Sequence, residues 1–361
     1  MSIEVVRLHR GSAGGEAGAD ETGRPGRSEP SSRMRSTRKP GKISAGSLFV
    51  LPFVLCYVLF ALFPMLYTMV ISLTQWNGIG SMEWAGLENY RRLLTVDPYF
   101  WMTLGNTLII AACTIPISMV MGFLLASALH GRRLKGKRFF QLVNFLPYIT
   151  TPVAIGIIFS LLFSDSTGLV GMILQRLGIV DGPVVLLNNP RTAKMIVVLM
   201  GVWKNTGYQM LFFLAGLSTI PLELYDAAKV DGAGVRQTLF RITLPMLKDI
   251  MIFLVLVNII QGFQLLDEPM LLYSSWVSGS QQIGGPGRSV YTTIWYLYET
   301  SFGARFELGK GSAIAYLLFM IIGGCVVVFR RMSIHREQDG LLKSRHTRPA
   351  RQTGVDGESN I

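Results

Sequence analysis

Two groups of polar side chains lie inside runs that are otherwise hydrocarbon. Asn258, Gln261 and Gln264 recur every third residue in one run, with Asp267 and Glu268 toward its end, and Lys204, Asn205 and Gln209 form a second group in another run. Spacing by three or four places side chains on one face of a helix. Each amide both donates and accepts hydrogen bonds, which suits the hydroxyls of an uncharged polyol. The chemistry offered is reversible binding along a polar face, and Asn258, Gln261, Gln264, Lys204, Asn205 and Gln209 are the candidate substrate pathway. Asn106, Asn144 and Tyr148 are weaker members of the set. The competing reading is hydrogen bonding between neighbouring helices, worth about 0.6–2 kcal/mol per contact.

Bond-making chemistry finds no support. The stretch Gly131-Arg132-Arg133-Leu134-Lys135-Gly136-Lys137 fits the GxxxxGK pattern of a phosphate-binding loop. However, Arg138 stands where a Ser or Thr would hold magnesium, and an apolar run precedes it where the motif requires a strand. Lys310 follows Gly309 but is itself followed by Gly311. Cys56, Cys113 and Cys325 lie singly in apolar runs and are expected to be small buried hydrophobes. His9, His130, His335 and His346 lack ligand spacing. No catalytic residue, metal site or bound cofactor is expected.

The elements that must position these amides follow from composition. The 361 residues are 50% hydrophobic and only 16% charged, against about 25% charged in a soluble domain. Long apolar blocks cause the deficit, so the chain reads as an all-α polytopic membrane protein. Six spans of about 18–26 residues are expected, the length a roughly 30 Å hydrocarbon core needs, over 47–71, 104–129, 139–163, 195–217, 250–272 and 312–329. They must be helices, since backbone left unpaired in lipid is costly. Pro52, Pro64, Pro116, Pro147 and Pro152 are expected to kink or bound the first three.

Most of the 34 lysines and arginines fall in four places. These are the N-terminal tail; the second connection, with Arg132, Arg133, Lys135, Lys137 and Arg138; the fourth connection, with Lys229, Arg236, Arg241 and Lys248; and the C-terminal tail. That bias places both termini in the cytoplasm. Trp76, Trp84, Trp101, Trp276 and Trp295 would form an aromatic belt at the outer boundary. The net charge of +12 reflects this topology; the basic tails lack the interleaved aromatics of a nucleic-acid binder. Residues 1–46 are expected to be a disordered basic tail, with Met34 an alternative translation start, and 331–361 a cytoplasmic tail. A six-span domain, 47–330, lies between them.

The fourth connection, 218–249, is patterned. Pro221 suits a first helical turn, Glu223 and Asp226 favour the N-terminal half of that helix, and Gly232 and Gly234 should end it. A second short helix would run to Ile242, and Pro245 would mark the start of the fifth span. Ala227, Ala228, Gly232 and Ala233 give a low-profile surface for the groove of another protein, with close approach in place of large anchors.

The segment resembles the cytoplasmic EAA signature of permease subunits of binding-protein-dependent ABC importers. That signature is Glu-Ala-Ala, three residues, Gly, nine residues, Ile, any residue, Leu-Pro. Here Asp226-Ala227-Ala228, Gly232, Ile242 and Leu244-Pro245 stand at the same spacing, with Asp231 and Ala233 flanking the glycine. Asp226 replaces Glu, keeping the charge and shortening its reach by one methylene. Leu87-Glu88-Asn89-Tyr90, Asn106-Thr107, Gly284-Gly285-Pro286 and the stretch from Gly309 to Ala313 are similar to the larger permease of maltose-type systems. The resemblance runs over about 48–330.

The resemblance implies half of a heterodimeric permease in the inner membrane, paired with a second permease subunit. Two ATPase subunits, which use ATP and magnesium, would grip the 218–249 loops. An extracytoplasmic solute-binding protein would deliver a sugar. Importers of glycerol phosphate, a polyamine or an oligopeptide are alternatives, although Lys204 is the one basic residue available to a phosphate along the pathway. An autonomous carrier or channel lacks a filter-like repeat here. A membrane enzyme would need a cluster of acids, histidines or a nucleophile that the sequence does not assemble.

The docking expectation is testable. Gly232→Asp should abolish co-purification of an ATPase subunit while membrane insertion persists, and normal co-purification would count against the loop as a docking surface.

Overall fold

The computed structural model describes residues 45–131, 135–165, 167–182, 184–274, 283–304 and 306–346. Arg132, Arg133, Trp276, Met34, most of the N-terminal tail and the end of the C-terminal tail lie outside the described residues. The chain divides into a short unit ending at Leu55 and a main unit from Cys56 to Ile361. The first helix begins in the short unit, and the other elements belong to the main unit.

The described residues are helical apart from connections and one two-residue antiparallel pair, β1 (Thr74–Gln75) with β2 (Glu83–Trp84). The sequence's low charge and long apolar runs leave helix as the form that satisfies its own backbone. Helix α1 (Ala45–Tyr57) is followed by a π-turn at Val58–Leu62 and α2 (Phe63–Ser72). The wide turn falls just before Pro64, whose missing N–H would otherwise break the α-helical ladder. Then come α3 (Glu88–Thr95), α4 (Pro98–His130), α5 (Lys137–Ile149), α6 (Pro152–Phe163) and α7 (Leu169–Arg176). They are followed by α8 (Pro190–Thr219), α9 (Leu222–Val230), α10 (Val235–Thr238), α11 (Leu244–Met246), α12 (Lys248–Phe263) and α13 (Asp267–Leu272). The last two are α14 (Thr293–Phe302) and α15 (Leu308–His346).

Among the described residues, three helices are long and apolar enough to cross a membrane unaided: Phe49–Ser72, Pro98–His130 and Leu308–Ser333. The expected 139–163 span is instead two helices, α5 and α6, bent by 96°. Thr151 precedes Pro152 and is extended (ψ 139°), because the proline ring excludes the α conformation before it. The expected 250–272 span also fails to be one helix. Helix α12 stops at Phe263, and α13 begins only at Asp267. The second short helix does not stop at Ile242; α10, a π-turn and α11 carry it to Met246, with Pro245 inside, and the chain bends by 65° at Leu247. Pro221 caps α9 rather than starting its first turn. Helix α15 continues through His346, so 331–346 is helical.

Helix α8 is the axis of the packing, lying against α4 along much of its length and against α5. At Gly207 an added Cβ would stand 1.9 Å from the carbonyl oxygen of Asn144, so only glycine lets α5 approach there. Two apolar clusters fill the contacts. One joins Phe100, Leu104 and Ile110 of α4, Ile196 and Met200 of α8, Trp295 of α14 and Ile314 of α15. The other joins Ala126 and Leu129 to Met210, Phe213 and Leu217, then to Leu247 and Leu254.

The outward faces are also apolar: Phe60, Phe139, Leu161 and Phe319 are all exposed. With apolar residues on both faces, packing alone decides which way a tryptophan or a cysteine points. Trp295 is fully buried and belongs to the core rather than to a belt, whereas Trp84 and Trp101 are exposed. Cys56 and Cys113 are exposed rather than buried, because hydropathy gives no inward direction when both faces of a helix are apolar.

Gly207→Ala should cost about 1–3 kcal/mol through overpacking. Gly323→Ala, where nothing lies within 4 Å of the new methyl, should not destabilise and gains up to about 1 kcal/mol of helix propensity. Thermal unfolding of both variants in detergent checks this; equal midpoints would refute the close approach.

Candidate functional site

Helices α4, α8 and α12 and the break before α13 wall a cavity of about 410 Å³, with Tyr148 of α5 at one side. Lys204, Asn205, Asn258, Gln261 and Gln264 all line it, together with Asp267 and Glu268. Gln264 reaches it from the cap of α12 (φ −97°, ψ 15°), not from a continued helical face. The amides of Asn205, Gln261 and Gln264 hydrogen-bond to no described residue. Asn258 is buried; it donates to the Leu254 carbonyl at 2.6 Å and accepts from Gln209 Nε2 at 3.1 Å.

Gln209 is not at the cavity. It is fully buried between α4 and α12, donating also to Ser118 Oγ at 3.0 Å, while its own Oε1 has no partner. Asn106 is likewise tied up. It donates to the carbonyls of Arg288 (2.9 Å) and Tyr291 (3.1 Å) and accepts from Lys194 Nζ (2.9 Å). Asn144 donates to Phe140 in its own helix.

Lys204 is not a free cation. Its ammonium pairs with Glu268, and the two side chains are only 19% and 10% exposed. The pair joins the middle of α8 to the start of α13. Sixty-four residues separate the partners, so sequence spacing carries no sign of the contact. A polar pair in an apolar stretch is the signal that was present in the sequence.

The 218–249 connection forms a second candidate site. Helix α9 closes on Gly232 (φ +73°), with Ala233 N–H donating to Ala228 O at 2.8 Å and Gly232 N–H to Lys229 O at 3.1 Å. This is the Schellman closure, and its left-handed position favours glycine. Asp226 pairs with Lys229 at 2.9 Å on the surface. Ala227, Asp231, Gly232 and Pro245 are exposed, Ala233, Ile242 and Leu244 are half-buried, and Ala228 is buried. The surface is not free of anchors: Val230 and Val235, on either side of the turn, are 88% and 87% exposed. Nothing lies within 4 Å of a Cβ at Gly232. The left-handed φ of Gly232 strains any side chain placed there, aspartate less than most, so Gly232→Asp carries a local backbone cost beside its effect on docking.

The sequence reading missed a charged cluster at the other end of α4. Asp97 caps that helix, accepting from Tyr99 N–H (2.8 Å) and Phe100 N–H (3.3 Å). Its other oxygen takes Lys310 Nζ at 2.6 Å and the Tyr296 hydroxyl. Arg288 lies 4.2 Å from the Tyr99 ring centre, and a cavity of about 580 Å³ opens beside the cluster. Burial opposes ionisation of Asp97, but Lys310, Tyr296 and the Tyr99 amide together hold its carboxyl below the ordinary value. Burial first, and then Asp97, pushes the Tyr296 hydroxyl up.

The comparisons agree with this architecture. The family described as binding-protein-dependent transport system inner membrane component matches residues 118–333. The arabinooligosaccharides transport system permease protein AraP of Bacillus subtilis is 34% identical over 78% of this chain and 86% of its own length. The lactose transport system permease protein LacF of Rhizobium radiobacter is 32% identical over 81% of this chain and 94% of its own. A crystal structure of a bacterial alginate ABC transporter, in complex with an alginate pentasaccharide-bound periplasmic protein, has a chain that aligns with TM-score 0.66. That chain is 22% identical, with 79% of this chain and 92% of its own covered. The chain therefore belongs to the family of inner membrane components of binding-protein-dependent transport systems. It is a membrane-embedded transport subunit of the ABC importer class and not an enzyme.

Asp97→Asn should lower the unfolding temperature at neutral pH by the equivalent of about 1–2 kcal/mol. A depressed carboxyl contributes stability that is complete above its unfolded value, near 3.8, and is lost as pH falls through the folded value. The gap between parent and variant should therefore close below about pH 4; a gap that persists there would show that the charge is not what holds the cluster.

Proposed function

We propose that this chain is one half of the translocation pathway of an ATP-driven sugar importer, with the α4–α8–α12 cavity as its part of the route. The observation that carries the reading is the convergence of Asn205, Gln261 and Gln264, with their amides unengaged, on one cavity among apolar helices. Amides without protein partners at that depth are costly unless a ligand or water completes them. Relatives named for arabinooligosaccharides and lactose support a sugar as that ligand.

In this reading the domain 47–330 crosses the inner membrane six times, each bent pair of helices counting as one span, and both termini face the cytoplasm. A second permease subunit completes the pathway. Two ATPase subunits, which bind ATP and magnesium, hold the 218–249 connections of the two permeases. Asp226, Ala227, Asp231, Gly232, Ala233 and the segment Ile242, Leu244, Pro245 form this chain's contact, and the exposed Val230 and Val235 add apolar area to it. Ala228 acts from beneath, by accepting the hydrogen bond that closes the turn. An extracytoplasmic binding protein delivers the sugar. Nucleotide and loaded binding protein both favour the outward-facing state, so each strengthens binding of the other.

Tagging the C-terminus, extracting in mild detergent and identifying stoichiometric partners by mass spectrometry tests the assembly. A second permease with an ATPase is expected; a homo-oligomer without ATPase, even after cross-linking, would overturn the reading. Gln261→Leu and Gln264→Leu should each reduce uptake about tenfold, the size of one or two lost hydrogen bonds, without dissociating the complex. Full uptake in both variants would remove this face from the pathway.

A further inference from the structure

We infer that Glu268 is a charge-specificity residue. By pairing with Lys204 it leaves the cavity without an available cation, so the pathway takes uncharged polyhydroxylated solutes and rejects phosphates and carboxylates. The inference rests on the cavity being the route of the solute.

The charged side chains lining the cavity are Lys204, Asp267 and Glu268. Lys204 is the only cation among the described residues that line it. Alone it would be an anion site: an ammonium in a partly desolvated cavity, flanked by the amides of Asn205 and Gln261, offers the donors that a phosphate or uronate prefers. Glu268 removes that property. Its carboxylate takes the ammonium directly, and both side chains are nearly closed to solvent. Asp267 stays exposed beside the pair, so the lining carries one positive and two negative formal charges. Approaching anions meet a repulsive field, while the amides remain open to hydroxyls.

Holding α8 against α13 does not by itself require the charges. Replacing a buried ion pair with apolar side chains of similar volume is often neutral or stabilising. The distinctive effect of this pair is on the potential of the space that it faces. The break between Phe263 and Asp267 is what brings Glu268 there: it lies in the first turn of α13, which packs on α6 and touches α8, whereas a continuous α12 would have carried it elsewhere.

The test measures that potential without knowledge of the sugar. In the complete complex in nanodiscs, Cys56, Cys113 and Cys325 are changed to Ser and one cysteine is introduced by Gln261→Cys. Its rates of reaction with anionic sulfonatoethyl and cationic aminoethyl methanethiosulfonate are then compared. Glu268→Gln should raise the anion-to-cation rate ratio by about tenfold, the scale of one unit charge about 6 Å away at near-aqueous dielectric, acting with opposite sign on the two reagents. Lys204→Gln should lower it by a similar factor, and the double variant should return close to the parent. If Glu268→Gln fails to assemble, Lys204→Gln and the double variant differ by the same carboxylate and supply the same step. A reactive cysteine whose ratio ignores Glu268 overturns the charge filter and leaves the pathway standing. A cysteine that reacts with neither reagent in any nucleotide state overturns the pathway, and the filter with it.

Discussion

Polar groups surrounded by hydrocarbon must find partners inside the protein, and this constraint organises the molecule. A donor or acceptor left alone in an apolar setting costs several kcal/mol, so most pair or face an opening that water or solute can fill, the buried Gln209 Oε1 being an exception. Asn106 follows the first course, holding two carbonyls and an ammonium and thereby fixing α4 to the segment before α14. Gln209 and Asn258 follow it too, joining α8 to α12 and, through Ser118, to α4. Asn205, Gln261 and Gln264 follow the second. The same helices thus supply both the fastening and the cavity, and α8, made approachable by Gly207, is common to both.

Broken helices give this arrangement its functional geometry. A continuous α5–α6 would present a straight apolar rod, whereas the bend at Thr150 and Thr151 lets α6 pack on α13. The interruption between Phe263 and Asp267 frees backbone that is partly satisfied by Thr292, which donates to the Leu265 carbonyl at 2.7 Å. Irregular backbone of this kind is tolerated among apolar helices where it lines a cavity, and the cavity is indeed at the break. The bends at Pro221 and Leu247 isolate α9–α11 as a short helical unit projecting from α8 and α12.

Two ion pairs show how differently charge is used. At the start of α4, Asp97 caps the helix and gathers Lys310 and Tyr296, so charge there secures α15 and α14. Near the middle of α8, Lys204 and Glu268 cancel each other beside unengaged amides. The first is a fastening at the end of a bundle. The second changes what the cavity can hold, because few other charges lie near enough to mask it.

The sequence by itself determined the helical class, the apolar character of the runs and the pattern of the fourth connection. These depend on composition, local hydropathy and short spacing, and Gly232 takes the left-handed turn that its position after Asp226-Ala227-Ala228 calls for. It also marked Lys204, Asn205, Asn258, Gln261 and Gln264, since a polar residue in an apolar run is visible without any fold. Only the tertiary structure decided which of these amides bind one another and which stay open: Gln209 and Gln261 look alike in sequence, and the neighbours brought by α4 and α12 separate them. Tertiary packing also buried Trp295, turned Cys56 and Cys113 outward, and brought Glu268 to Lys204. The physical reason is that hydropathy fixes how a helix forms but gives it no inward face when its surroundings are as apolar as its core, so direction and partnership come from packing alone.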